Sequence, residues 1–140
     1  MKGAIQMETV STPTVRTYRI RLEFKGKKVA IAPDEIKAKD QILEHINSML
    51  PMAETASGLT FIKEDFVTNV EFKEKCTETL NRYTVYYILE TECLNDGETE
   101  TEVIEKTNKQ MLNIVHEVER FLNASSGDDN NFVKELTRFG

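Results

Sequence analysis

A chain of 140 residues with a formal net charge of −6 is the length of one domain. Charged residues are 30% and apolar ones 39%, the balance of a folded chain rather than a disordered one. The longest apolar run, Val85-Tyr86-Tyr87-Ile88-Leu89, is far too short to span a bilayer, and no charged start leads into an apolar stretch. These features argue against a membrane-spanning chain, a secreted disulfide scaffold, a collagen, a coiled coil and a repeat array.

Residues 1–14 read as an arm, because Ser11-Thr12-Pro13-Thr14 has no period and its proline blocks regular pairing. Tyr18, Ile20, Leu22 and Phe24 then alternate with Thr17, Arg19, Arg21 and Glu23, which predicts a strand with one buried face. Lys25-Gly26-Lys27 reads as a turn, with Val29 and Ile31 on a short partner strand, so that 15–31 forms a hairpin. Pro33-Asp34-Glu35 opens a helix over 34–50 with Ile36, Ile42, Leu43, Ile46, Met49 and Leu50 on its stripe, and Pro51 stops it.

Residues 51–58 read as a loop, and 59–62 and 67–72 as strands. Lys73-Glu74-Lys75 reads as a polar break before the longest strand, about 78–94. On that strand Tyr83, Val85, Tyr87, Leu89, Thr91 and Cys93 point one way, and Thr84, Tyr86, Ile88, Glu90 and Glu92 the other. Asn95-Asp96-Gly97 reads as a turn. Thr99 with Glu102 resembles a capping box before a second helix, about 101–123, whose stripe runs from Val103 to Leu122. Residues 124–140 read as a linker and an apolar tail of undecided structure. The predicted architecture is an α+β two-layer domain over 15–123. Its sheet is mostly antiparallel, with both helices on one face.

Chemistry-bearing patterns are few. No phosphate loop, dinucleotide fingerprint, nucleophile elbow or H-E-x-x-H motif is present. Cys76, Cys93, His45 and His116 lie no closer than 17 positions apart, which is not zinc-ligand spacing. Neither a metal, a cofactor nor a catalytic residue is expected. Tyr83, Tyr86 and Tyr87 suit core packing better than a nucleic-acid stacking platform, because Tyr83 and Tyr87 share a face with Val85 and Leu89.

Charge is distributed unevenly. Residues 1–30 hold seven basic residues against two acidic ones, whereas 90–105 hold seven acids and no base. The basic candidates for an interface are Arg16, Arg19, Arg21, Lys25, Lys27 and Lys28; the acidic ones are Glu90, Glu92, Glu98, Glu100 and Glu102. Patches of opposite sign suit head-to-tail contacts between copies, which close into rings. The negative total charge disfavours tight independent binding to DNA, although proximity of DNA to the basic segment stays open.

The order and length of elements from the helix at 34–50 through the strands at 59–72 and Arg82–Cys93 to the helix at 101–123 resembles the tail terminator and neck ring proteins of tailed bacteriophages. That resemblance implies a structural subunit of a virion, assembled in the host cytoplasm. It further implies a homo-oligomeric ring, a hexamer by preference, that contacts other tail or neck proteins, without catalysis or membrane attachment. The basic segment before the first helix departs from the pattern, so another tail completion or baseplate component fits nearly as well. The alternative is a small cytoplasmic α+β module that binds a ligand or peptide. A third reading is an enzyme that uses Cys76 or Cys93 with a histidine.

Overall fold

The alternation that starts at Tyr18 continues without a break to Ala32 in the computed structural model, which describes residues 14–127 and 130–138. The expected N-terminal arm lies outside the described residues except for Thr14. The elements are β1 (Arg16–Ala32), α1 (Glu35–Ser57), β2 (Val67–Lys75), β3 (Asn81–Gly97), α2 (Glu100–Leu122), β4 (Ala124–Ser125) and β5 (Val133–Arg138). The α+β class and the antiparallel sheet are as the sequence predicts. Strand order is β2-β3-β1, and both β4 and β5 lie along the far edge of β1.

The expected hairpin at 15–31 does not form. β1 is one 17-residue strand that pairs with β3 along its whole length, from Arg16 opposite Gly97 to Ala32 opposite Asn81. Gly26 falls mid-strand, directly opposite Tyr87. A Cβ at Gly26 would lie 2.4 Å from the Tyr87 ring and 2.6 Å from the Asn123 carbonyl oxygen, so the glycine makes room for an aromatic ring and a helix end. Asn95-Asp96-Gly97, also read as a turn, is the end of β3.

α1 runs seven residues past the expected stop and carries Pro51 inside it. Proline removes one helical N–H and crowds the preceding turn. Packing beyond it offsets that cost. Ala53 is fully buried, and the Glu54 carboxylate accepts hydrogen bonds from the Phe61 N–H at 2.9 Å and from Lys63 Nζ at 3.2 Å. The helix ends where Gly58 takes φ 78°, which a side chain would strain. Asp34 caps its start, its Oδ1 accepting from the Lys37 N–H at 2.8 Å. In α2 the cap half of the expected capping box is present: Thr99 Oγ1 accepts from the Glu102 N–H, while Glu102 Oε2 accepts from the N–H of Glu98, one residue before the cap.

Both helices lie over the face formed by Tyr18, Ile20, Leu22, Phe24, Tyr83, Val85, Tyr87 and Leu89, all buried. Ile36, placed on the stripe from sequence, is instead 72% exposed, and Thr107 is fully buried, its hydroxyl accepting from Asn95 Nδ2. The expected strand at 59–62 reduces to a single bridge between Phe61 and Thr91. Lys73-Glu74-Lys75 belongs to β2 and not to a break. The pairing of β2 slips twice, and these bulges and charges blunt the sheet edge.

Within the segment read as linker and tail, Ala124–Ser125 and Val133–Arg138 join the sheet as β4 and β5. The Phe132 ring packs 5.0 Å from that of Phe24, and its carbonyl accepts from the Glu23 N–H at 2.8 Å. Beyond it, Leu136 sits opposite Ile20 and Glu135 opposite Arg21.

Tyr87 donates its hydroxyl hydrogen to the Leu122 carbonyl at 2.5 Å, which ties β3 to the end of α2. Burial pushes its ionisation well above the ordinary tyrosine value near 10. The unfolded chain loses this proton near that value and the folded chain keeps it. Above pH 10 the proton therefore contributes stability that declines as pH rises, by about 1.4 kcal/mol per pH unit. Urea unfolding of the native chain and of Tyr87→Phe across this range checks it: the native chain is expected to show the steeper decline, and parallel profiles would refute it.

Candidate functional site

Alternation gives the sheet a second face, which no helix among the described residues covers. From β1 it carries Thr17, Arg19, Arg21, Glu23, Lys25, Lys27, Val29 and Ile31. Opposite them on β3 stand Asp96, Leu94, Glu92, Glu90, Ile88, Tyr86, Thr84 and Arg82. The middle of this face is an ion-pair network. Arg21 Nη2 meets Glu90 at 2.8 Å and its Nη1 lies 3.9 Å from Glu135. Lys134 from β5 reaches Glu23 at 3.1 Å and Glu90 at 3.5 Å. The hydrogen bond to Glu23 and the charge of both carboxylates hold the Lys134 ammonium above its usual range.

This geometry places the expected interface residues differently from one another. Arg21 and Glu90, expected to face a neighbouring molecule, pair with each other within one chain. Arg19 and Glu92 are exposed, and Arg16 lies half-buried at the strand end, on the helix side by alternation. Glu98 and Glu100 are exposed at the start of α2, and Glu102 is committed to the helix cap. Lys25 and Lys27 stand on the open face, two residues apart. Lys28 belongs by alternation to the helix side but lines the same depression.

That depression has two connected lobes, of about 500 and 360 Å³, which share Lys27, Tyr86 and Asn123. The larger is completed by Lys28, Val29, Lys73 and Thr84; the smaller by Lys25, Gly26, Ser125 and Gly127. Asn123 is the left-handed end of α2, and its Nδ2 donates to the Lys27 carbonyl at 2.6 Å. Lys73 pairs with Glu71, which lowers the ionisation of the carboxyl and raises that of the amine. Lys25, Lys27 and Lys28 form no ion pair among the described residues.

Sequence reasoning missed Lys73, Tyr86 and Asn123 as parts of this site. Tyr86 was readable, because alternation separates it from the buried Tyr83 and Tyr87. Lys73 and Asn123 reach it only through the register of β2 and the return of α2.

Cys93 is half-buried, and desolvation raises its thiol ionisation, opposite to the shift that activates a nucleophile. Cys76 is exposed, as are His45 and His116. Among the described residues no cluster of three or more histidine, cysteine or acidic side chains has metal-binding geometry, and no helix is long and apolar enough to cross a membrane. The chain matches no protein-family model, no curated protein and no solved structure.

Proposed function

We propose that this chain is a structural subunit that assembles in copies through the open face of its sheet. The particle it suits is a ring of the tail or neck type, which its order of elements resembles. One observation carries the reading: the face that no described helix covers combines charged rows with large exposed apolar side chains. Val29 is 59% exposed, Ile31 44% and Leu94 58%. Charge interspersed with exposed apolar area is the make-up of a protein–protein contact, with apolar contact at its centre and polar groups at its rim. On this reading the chain works by position and not by catalysis, and its partners are further copies and the neighbouring structural proteins of the particle.

Sedimentation velocity at low and high salt, over a wide concentration range, tests it. A discrete oligomer that weakens with salt is expected. A monomer throughout would move the reading to a ligand-binding module that uses the lysine-lined depression around Tyr86. Reversing Arg19 and Arg21 together is not a clean probe of assembly, since Arg21 holds Glu90 within the chain at 2.8 Å.

A further inference from the structure

The full-length pairing of β1 with β3 places two groups of charges without ion pairs among the described residues, one basic and one acidic, at different positions along the sheet. Lys25 stands at the middle of the sheet, opposite Ile88, and Lys27 and Lys28 lie past it toward the Asn81 end of β3. Glu92, Glu98, Glu100 and Glu105 gather toward and beyond its Gly97 end, exposed and without an ion pair among the described residues. From Lys27 to Arg16, which pairs with Gly97, the strand runs eleven residues, or ~37 Å at strand rise. Screening at physiological salt acts over ~8 Å, so the two ends scarcely feel each other within one molecule.

Each end also offers apolar area. Val29 and Ile31 adjoin the lysines, and Leu94 lies beside the acids, as does Val15, 63% exposed. We infer that the lysine-lined depression around Tyr86 receives the acidic start of α2, Glu98 and Glu100 foremost, from a second copy of this chain. The inference rests on the self-assembly reading and names its contact. The contact joins unlike surfaces, so each copy offers one of each, and the chain of contacts closes into a ring or runs on as a filament. A second copy is favoured over a nucleic acid as occupant. The acidic surface is the chain's own, whereas a polyanion would meet a net charge of −6.

Two neutralised variants test the contact: Lys25→Gln with Lys27→Gln, and Glu98→Gln with Glu100→Gln. All four side chains are exposed, so each variant is expected to keep the native circular dichroism. Each alone should require about tenfold higher concentration to assemble, the worth of two or so exposed ion pairs. Mixed in equal amounts they retain one intact contact per pair, so sedimentation should show a dimer that neither forms alone.

Failure takes distinguishable forms. A native chain that is monomeric at all concentrations overturns the self-assembly reading and this contact with it. A native oligomer whose assembly neither variant alters overturns the contact only. So does an oligomer impaired by both variants with no dimer in the mixture. Loss of binding to a fluorescent single-stranded oligothymidine in the lysine variant, with assembly unchanged, would assign the depression to nucleic acid and overturn the contact as well.

Discussion

Phe24→Ala is expected to lower unfolding stability by about 3–5 kcal/mol, a large share of the roughly 5–15 kcal/mol by which a domain is stable. Phe24 is fully buried, and its ring is the meeting point of three chain segments. Phe61 packs edge-on at 5.8 Å and Phe132 lies tilted at 5.0 Å. Truncation leaves a cavity against two other aromatic rings, and rings fixed by backbone hydrogen bonds cannot collapse into it. The Phe61 N–H is held by Glu54, and both backbone groups of Phe132 are bonded, the N–H to Asn108 and the carbonyl to Glu23. Urea unfolding measures the loss, and Phe24→Leu should recover the greater part of it. Hydrogen exchange should also show β5 opening first, since Phe132 anchors it. A cost under 1 kcal/mol would mean that these rings do not meet.

The second large effect is expected from the smallest change. Gly26→Ala adds one methyl group and should cost about 3 kcal/mol, the upper range for overpacking a filled site. The new Cβ would meet the Tyr87 ring at 2.4 Å and the Asn123 carbonyl oxygen at 2.6 Å. Neither neighbour is a flexible side-chain end. The ring is fixed by its hydroxyl bond to the Leu122 carbonyl, and the Asn123 backbone is the left-handed close of α2. A turn glycine with open space around it would accept alanine at far lower cost. The thermal midpoint of this variant thus separates a mid-strand Gly26 from a turn, and an unchanged midpoint would refute the β1–β3 register.

Gly26 also shows where local reasoning ends. The segments Lys25-Gly26-Lys27 and Asn95-Asp96-Gly97 both carry turn chemistry, yet both continue strands. At each, glycine answers a close neighbour rather than a positive φ: at Gly97 an added Cβ would meet Val103 Cγ2 at 2.5 Å. Tyr87 and Asn123, the neighbours of Gly26, lie far away in sequence and leave no local trace. Periodicity served better, because it reports burial directly. The faces of β3 and of β1 as far as Phe24, and the α+β class, were readable from it, and the capping of α2 from the spacing of Thr99 and Glu102. The tail was not, since Phe132, Val133 and Leu136 suit a helix or a strand until the free edge of β1 is known. The candidate site was half legible. Lysine-rich and glutamate-rich stretches are visible as composition, but only the strand register shows that Arg21 and Glu90 cancel while Lys25 and Lys27 do not.

The pairing of β1 also bears on how the protein is made. Among the described strands β1 leaves the ribosome before the others, yet its partners on both sides come late: β3 after all of α1 and β2, and β5 after α2 as well. For most of synthesis the strand that becomes the centre of the sheet has no neighbour to bond with. Its core-facing row of Tyr18, Ile20, Leu22 and Phe24 meanwhile stays in water. A chain wired this way completes its fold late and slowly, because distant segments must be brought together before any contact rewards them. The charged row on the other side of the same strand, Arg19, Arg21, Glu23, Lys25 and Lys27, then acts as protection. It keeps the nascent strand from zipping onto another unfinished copy before its own partners arrive.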